Sequence, residues 1–158
     1  MRVVFDINVY VQNAVDDESV WPEIEPLPPA TGRAAADCVS IAFDGVDVRL
    51  FLSPHIIENT IRILAHLGHT DAGIARYIEA LLDIVEMSGG AVMDPPKRDH
   101  GVADHEDNLI LDLVLAADAD VLVTDDTDLT ALNPWNGRVI LRPYEFVNRW
   151  LQSARHQR

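Results

Sequence analysis

The chemistry available to this sequence is carried by carboxylates. Asp6 follows the apolar run Val3-Val4-Phe5, and Asn8 stands two residues on. Glu58 closes the stretch Ser53-Pro54-His55-Ile56-Ile57-Glu58. Asp104 and Asp107 flank His105-Glu106, with Asn108 next. Asp125, Asp126 and Asp128 follow Val121-Leu122-Val123-Thr124. Each group stands where an apolar stretch begins or ends. Magnesium and manganese are hard cations that take oxygen ligands, and carboxylates at the carboxyl ends of parallel strands suit them. Gathered carboxylates also repel one another unless a cation joins them. If the fold brings Asp6, Glu58, Asp107 and Asp126 together, the expected activity is metal-dependent phosphodiester cleavage.

Each acid taken alone has a plainer reading. Asp107 stands three residues after Asp104, a spacing that resembles a capping box, and acids are favoured at helix N-termini in any case. Glu58 flanks an apolar helical stripe, where a solvated acid is ordinary. Asp126 or Asp128 could cap a short helix through Leu129. Asp6 resists such a reading, because a buried strand feeding into Asp-x-Asn puts an ion on a buried edge. That costs several kcal/mol (roughly) unless the ion is paired or metal-bound.

The elements that must position these acids alternate along the chain. Short, β-branched strands are expected at 3–5, 48–52, 91–93, 121–124 and 139–141. Ser53-Pro54 reads as an N-cap followed by a first-turn proline. Ile56, Ile57, Thr60, Ile61 and Leu64 continue that helix as one apolar stripe. Further helices are expected at 34–43, from Thr70 or Asp71 to Val85, from Asp104 to Ala117, from Asp128 onward, and from Pro143. Residues 16–30, with Asp16-Asp17-Glu18 and four prolines, read as an acidic, Pro-rich surface loop. The alternation predicts a single domain over 1–158, a three-layer α/β/α sandwich around a short, mostly parallel sheet. Ligands in such sheets bind beyond the carboxyl ends of the strands.

Composition narrows the function classes. A formal charge of −14 over 158 residues argues against a broad basic surface. It leaves a nuclease open, since a bound cation inverts the local charge of a carboxylate site. The single cysteine, Cys38, excludes an internal disulfide, suits a reducing cytoplasm and reads as a small buried hydrophobe. No run of roughly 18 apolar residues is present, so no membrane span is expected. His66 and His69, one turn apart, read as solvated helix surface.

The order of the motifs resembles the PIN domain across essentially the whole chain. Phe5-Asp6-Ile7-Asn8 is similar to its opening hydrophobic-Asp-x-Asn. Ser53-Pro54 with Glu58 is similar to its second motif, and Asp104-x-x-Asp107-Asn108 to its third. Thr124-x-Asp126-x-Asp128 is similar to its fourth. The nearest branch in pattern is the VapC-like toxins of bacterial toxin–antitoxin systems. The resemblance implies a Mg2+- or Mn2+-dependent ribonuclease with Asp6, Glu58, Asp107 and Asp126 as catalytic, metal-holding acids. Asn8 and Asp128 would be auxiliary. It further implies an RNA substrate, a small antitoxin partner with a basic segment, and a homodimer. Trp21 and the helix carrying Phe146 and Trp150 are candidate contacts for that dimer, or core. Two positions depart from the pattern: Ile7 replaces a usual Thr or Ser, and Asp125 replaces a usual Gly or Asn, so that Asp125 and Asp126 compete for one role.

Other classes are weaker. A phosphoacceptor receiver domain needs a lysine after a strand, and the only lysine, Lys97, lies in a Pro-rich loop. A haloacid-dehalogenase-like phosphatase needs a second aspartate where Asn8 stands. A PIN fold serving only as a binding module remains the main alternative.

Overall fold

Five short apolar runs pair side by side in the computed structural model, which describes residues 1–16 and 33–156. The strands are β1 (Arg2–Phe5), β2 (Arg49–Leu52), β3 (Ala91–Val92), β4 (Val121–Val123) and β5 (Val139–Leu141). Every pairing is parallel, in the order β3-β2-β1-β4-β5. Val3, Val4 and Phe5 of the central strand are fully buried, as expected for a parallel strand covered on both faces. Burying each such side chain contributes roughly 1.5–3 kcal/mol.

The helices are α1 (Ile7–Asp16), α2 (Ala34–Asp44), α3 (Pro54–His66), α4 (Asp71–Met87), α5 (His105–Ala116), α6 (Thr127–Thr130) and α7 (Pro143–His156). Contacts join α1 with α2 and α3, α2 with α7 and α3 with α4, which makes one layer. The chain steps outward from β1 to β2 to β3 on that face, then returns through α5 to β4 on the far side of β1. With right-handed crossovers, that reversal places α5 on the opposite face. The result is a three-layer α/β/α sandwich. Of the loop expected at 16–30, Asp16 closes α1 and the rest, with Trp21, lies outside the described residues. No helix among the described residues is long and apolar enough to cross a membrane.

Helix starts follow local chemistry. The Ser53 side chain accepts a hydrogen bond from the Ile56 amide at 3.3 Å, and Pro54 occupies the first helical turn. Thr70 does the same for Gly73 at 3.1 Å. Gly90 between α4 and β3 leaves no choice of residue, since a Cβ there would strike the Leu50 carbonyl. Phe146 of α7 is core, edge-on to Phe5 with ring centroids 5.6 Å apart, while Trp150 is only partly covered. Cys38 is free and buried, and burial pushes its thiol well above the ordinary range. His66 and His69 are exposed, as their surface reading requires.

Candidate metal centre

Sheet register sets the floor of the site. Val4 pairs with Phe51 and Leu122, Phe5 with Val123, and Val123 with Leu141. One step past the ladder, Asp6, Thr124 and Arg142 therefore stand in one row at the carboxyl edge. The Asp6 amide donates to the Val123 carbonyl and the Thr124 amide to the Leu141 carbonyl, both at 2.9 Å. Chain direction along the sheet reverses between β1 and β4, and open α/β sheets bind ligands at such switch points.

Asp6 is held by three donors. Its Oδ1 accepts from the Ile7 amide at 2.7 Å. Its Oδ2 accepts from the Thr124 hydroxyl at 2.7 Å and from Asn8 Nδ2 at 2.9 Å. Thr124 is fully buried, and its Oγ1 also accepts from the Asp126 amide at 2.9 Å. Asn8 Oδ1 accepts from the Asp125 amide at 3.2 Å. One hydroxyl and one amide thus tie the end of β1 to the turn after β4. Burial holds the Asp6 carboxyl above its usual range; the donors from Thr124, Ile7 and Asn8 lower it, and the Asp126 charge adds to the rise. The sequence flagged Thr124 only as part of a spacing. Its part in holding Asp6 depends on a partner 118 residues away and has no local signal.

Helix α5 begins at the same edge, which the order of residues left open. Asp104 caps it by accepting from the Glu106 amide at 2.8 Å, so the capping-box reading leaves Asp107 unused. Asp107 is instead buried against the cleft. Asn108 Nδ2 donates to the carbonyls of Val102 and Asp104 at 3.1 Å, and its Oδ1 accepts from the His100 amide at 2.7 Å. That residue pins the loop before α5 and fixes where Asp107 points. Sequence gave it no such part.

An open cleft of about 290 Å³ lies between these elements. Asp6, Asn8, Asp104, Glu106, Asp107 and Asp126 line it together with Ile7, Val11, Ile63 and Ile110. Carboxylate oxygens of Asp107, Asp126 and Asp128 all lie within 4.8 Å of one another. Burial, followed by the charges of Asp126, Asp104, Asp6 and Asp128, pushes Asp107 up to about 6.

The expected acids are thus not equivalent in space. Asp6, Asp107 and Asp126 share the cleft, and Asp128, expected only as an auxiliary, joins the tight group. Glu58 is exposed on α3 and is not part of either set; its charge, like that of Glu106, raises His55 against a larger lowering by burial. Glu106 lines the cleft from α5 instead. Asp125 turns away toward Arg142, 3.9 Å from its Nη1.

The donor set fits a hard divalent cation. It is all oxygen, and burial with like charges so close together makes Asp107 hold its proton to a higher pH than an ordinary aspartate in the absence of a counter-ion. Asp107, Asp126 and Asp128 can hold such an ion, with Asp6 at the base of the cleft. Comparison with protein families matches residues 2–128 to the PIN domain, and that span contains every acid named above. The chain belongs to the PIN domain family. A comparison with curated proteins gave no match. PIN domains are generally metal-dependent nucleases, and the acidic group Asp107, Asp126 and Asp128 of this PIN domain could bind such a metal.

The two adjacent acids of this PIN domain separate experimentally. Asp126→Ala is expected to lower metal-dependent nuclease activity by at least about 100-fold, since it removes a cleft carboxylate. Asp125→Ala removes an exposed, weakly paired acid, and activity should stay within about threefold of the parent. Equal losses in a single-turnover cleavage assay would defeat this assignment.

Proposed function

We propose that this PIN domain is a Mg2+- or Mn2+-dependent endoribonuclease and the toxin of a toxin–antitoxin pair acting in the cytoplasm. The observation that carries the reading is the group Asp107, Asp126 and Asp128 beside buried Asp6 at the switch point of the sheet. A bound divalent ion supplies Lewis-acid polarisation of a phosphate oxygen and a water of lowered pKa. The chain does the rest. Among the described residues the cleft lining is carboxylate, amide and aliphatic, so the attack on phosphorus is assigned to water. Asp6, fixed by Thr124, Asn8 and the Ile7 amide, keeps negative charge at the floor of the cleft. Ile7, Val11, Ile63 and Ile110 give the cleft apolar walls, which raise the electrostatic strength of whatever polar contacts form there.

Glu58 retains an expected part as the second-motif acid, from a position on α3 outside the tight group. A basic antitoxin segment suits the acidic cleft of a chain with charge −14. A homodimer through the partly covered Trp150 face of α7 completes the proposal.

The direct test is cleavage of total RNA by the purified protein, with mapping of the new ends. Cleavage should require Mg2+ or Mn2+, stop on chelation and return on re-addition. Induction in a cell should arrest growth, and co-expression of the neighbouring open reading frame should relieve the arrest. Failure to cut RNA with either metal present would overturn the ribonuclease reading. Cleavage without growth arrest would remove only the toxin role.

A further inference from the structure

Two arginines stand on opposite sides of the switch point, one after β5 and one on the helix that follows β2. Arg142 follows β5 and occupies the same row as Asp6 and Thr124. Arg62 lies on α3, which follows β2, beside Ile63 of the cleft wall. Each is paired only loosely with a nearby acid. Arg142 lies 3.9 Å from Asp125, with 36% and 52% of the two side chains exposed. Arg62 lies 3.7 Å from Glu106, with 68% and 54% exposed. Both separations exceed hydrogen-bond length, and exposed pairs of this kind contribute little. Arg62 also donates to Asn59 Oδ1 at 2.6 Å, which steadies its guanidinium beside Glu106.

A polyanion approaching a chain of charge −14 meets long-range repulsion, so productive binding needs cations placed locally. The planar guanidinium fork matches a phosphate better than an exposed side-chain acid held at nearly 4 Å. We propose that Arg142 and Arg62 are the substrate-positioning residues of this cleft, exchanging Asp125 and Glu106 for RNA phosphates on its two sides. This role rests on the ribonuclease reading. It gives a strand a defined path across the carboxyl edge of the sheet, from the β5 side over Asp6 to the α3 side.

The test measures binding of a fluorescein-labelled single-stranded oligouridylate to the Asp6→Asn protein with Mg2+ over a salt series. Arg142→Gln and Arg62→Gln should each weaken binding about 3- to 10-fold. Each should also flatten the log–log salt dependence by about 0.7, the loss of one phosphate contact on a single strand. Arg142→Lys and Arg62→Lys should keep the slope, since a point charge suffices for a phosphate. Arg49→Gln makes the same change in net charge at the opposite end of the sheet and should leave the slope alone. In the cleaving enzyme, the two Gln variants should raise KM while kcat stays within about twofold. Unchanged slopes in both Gln variants, or a slope lost equally in Arg49→Gln, would overturn the proposal while the ribonuclease reading stands. Absence of both RNA binding and cleavage in the parent protein would overturn both.

Discussion

Asp6→Asn is expected to fold normally and to lose metal-dependent cleavage by at least about 100-fold. The substitution keeps shape and size, and the asparagine Oδ1 can still accept from the Ile7 amide. Its new amide takes the place of the oxygen that accepted from the Thr124 hydroxyl, and Thr124 Oγ1 already accepts from the Asp126 amide and Asn8 Nδ2, so that one hydrogen bond is lost. The contact with Asn8 Nδ2 changes from donor–acceptor to donor–donor, which costs about 1 kcal/mol. Against that cost stands relief of a buried charge, because burial already holds the Asp6 carboxyl above its ordinary range. Net stability should move by no more than about 1–2 kcal/mol. Thermal unfolding followed by circular dichroism measures the first half of this expectation, and single-turnover cleavage with Mg2+ the second. A folded Asp6→Asn protein that still cuts at the parental rate would remove Asp6 from the machinery.

The second large effect concerns Asp107 and pH. In an unfolded chain this carboxyl titrates near its ordinary value of 3.8, and in the fold it is pushed up to about 6. Between those values the folded protein holds a proton that the unfolded chain has released. Stability contributed by the protonated form is therefore whole below about pH 4 and lost as pH rises through about 6. The full difference is up to about 3 kcal/mol. Metal-free protein should thus be more stable near pH 5 than near pH 7.5. Mg2+ competes with that proton, so its stabilising effect should be strong near pH 7.5 and weak near pH 5. Asp107→Asn carries no such titration; without metal it should exceed the parent in stability near pH 7.5 and match it near pH 4, and Mg2+ should shift it little. Urea unfolding with chelator or Mg2+ at the three pH values checks every part. An equal Mg2+ shift at pH 5 and 7.5 in the parent, or a parent–variant gap that does not change with pH, would contradict this account.

How far the site could be read from sequence differs residue by residue. The start of α3 was plain, because Ser53-Pro54 caps and opens a helix through contacts within three residues. The alternation of strands and helices was equally plain from the apolar runs. Asp107 was ambiguous for a physical reason: a helix N-terminus favours acids whether they cap it or face a ligand. Only the packing of α5 against the sheet edge, with Asn108 fixing the preceding loop, separates the two. Glu58 shows the converse. Its spacing from Pro54 gave its turn of helix but not its neighbours, and it lies exposed while Asp128 joins the close carboxylates. The order β3-β2-β1-β4-β5 and the burial of Thr124 are properties of pairing between distant segments, which no window of sequence contains.

The hydrogen bond from Thr124 to Asp6 spans 118 residues, and Asp107, Asp126 and Asp128 also come from the later part of the chain. During synthesis Asp6 leaves the ribosome 118 residues before Thr124, as the end of a strand whose neighbour on one side does not yet exist. The cleft cannot close until β4 has emerged and docked beside β1. A growing chain therefore carries no assembled acidic pocket until Asp126 and Asp128 have been added. Under the proposed ribonuclease function this timing matters, because the nearest RNA is the ribosome and message producing the chain. The order in which the fold is completed keeps the acidic pocket unformed until β4 and α6 have been made.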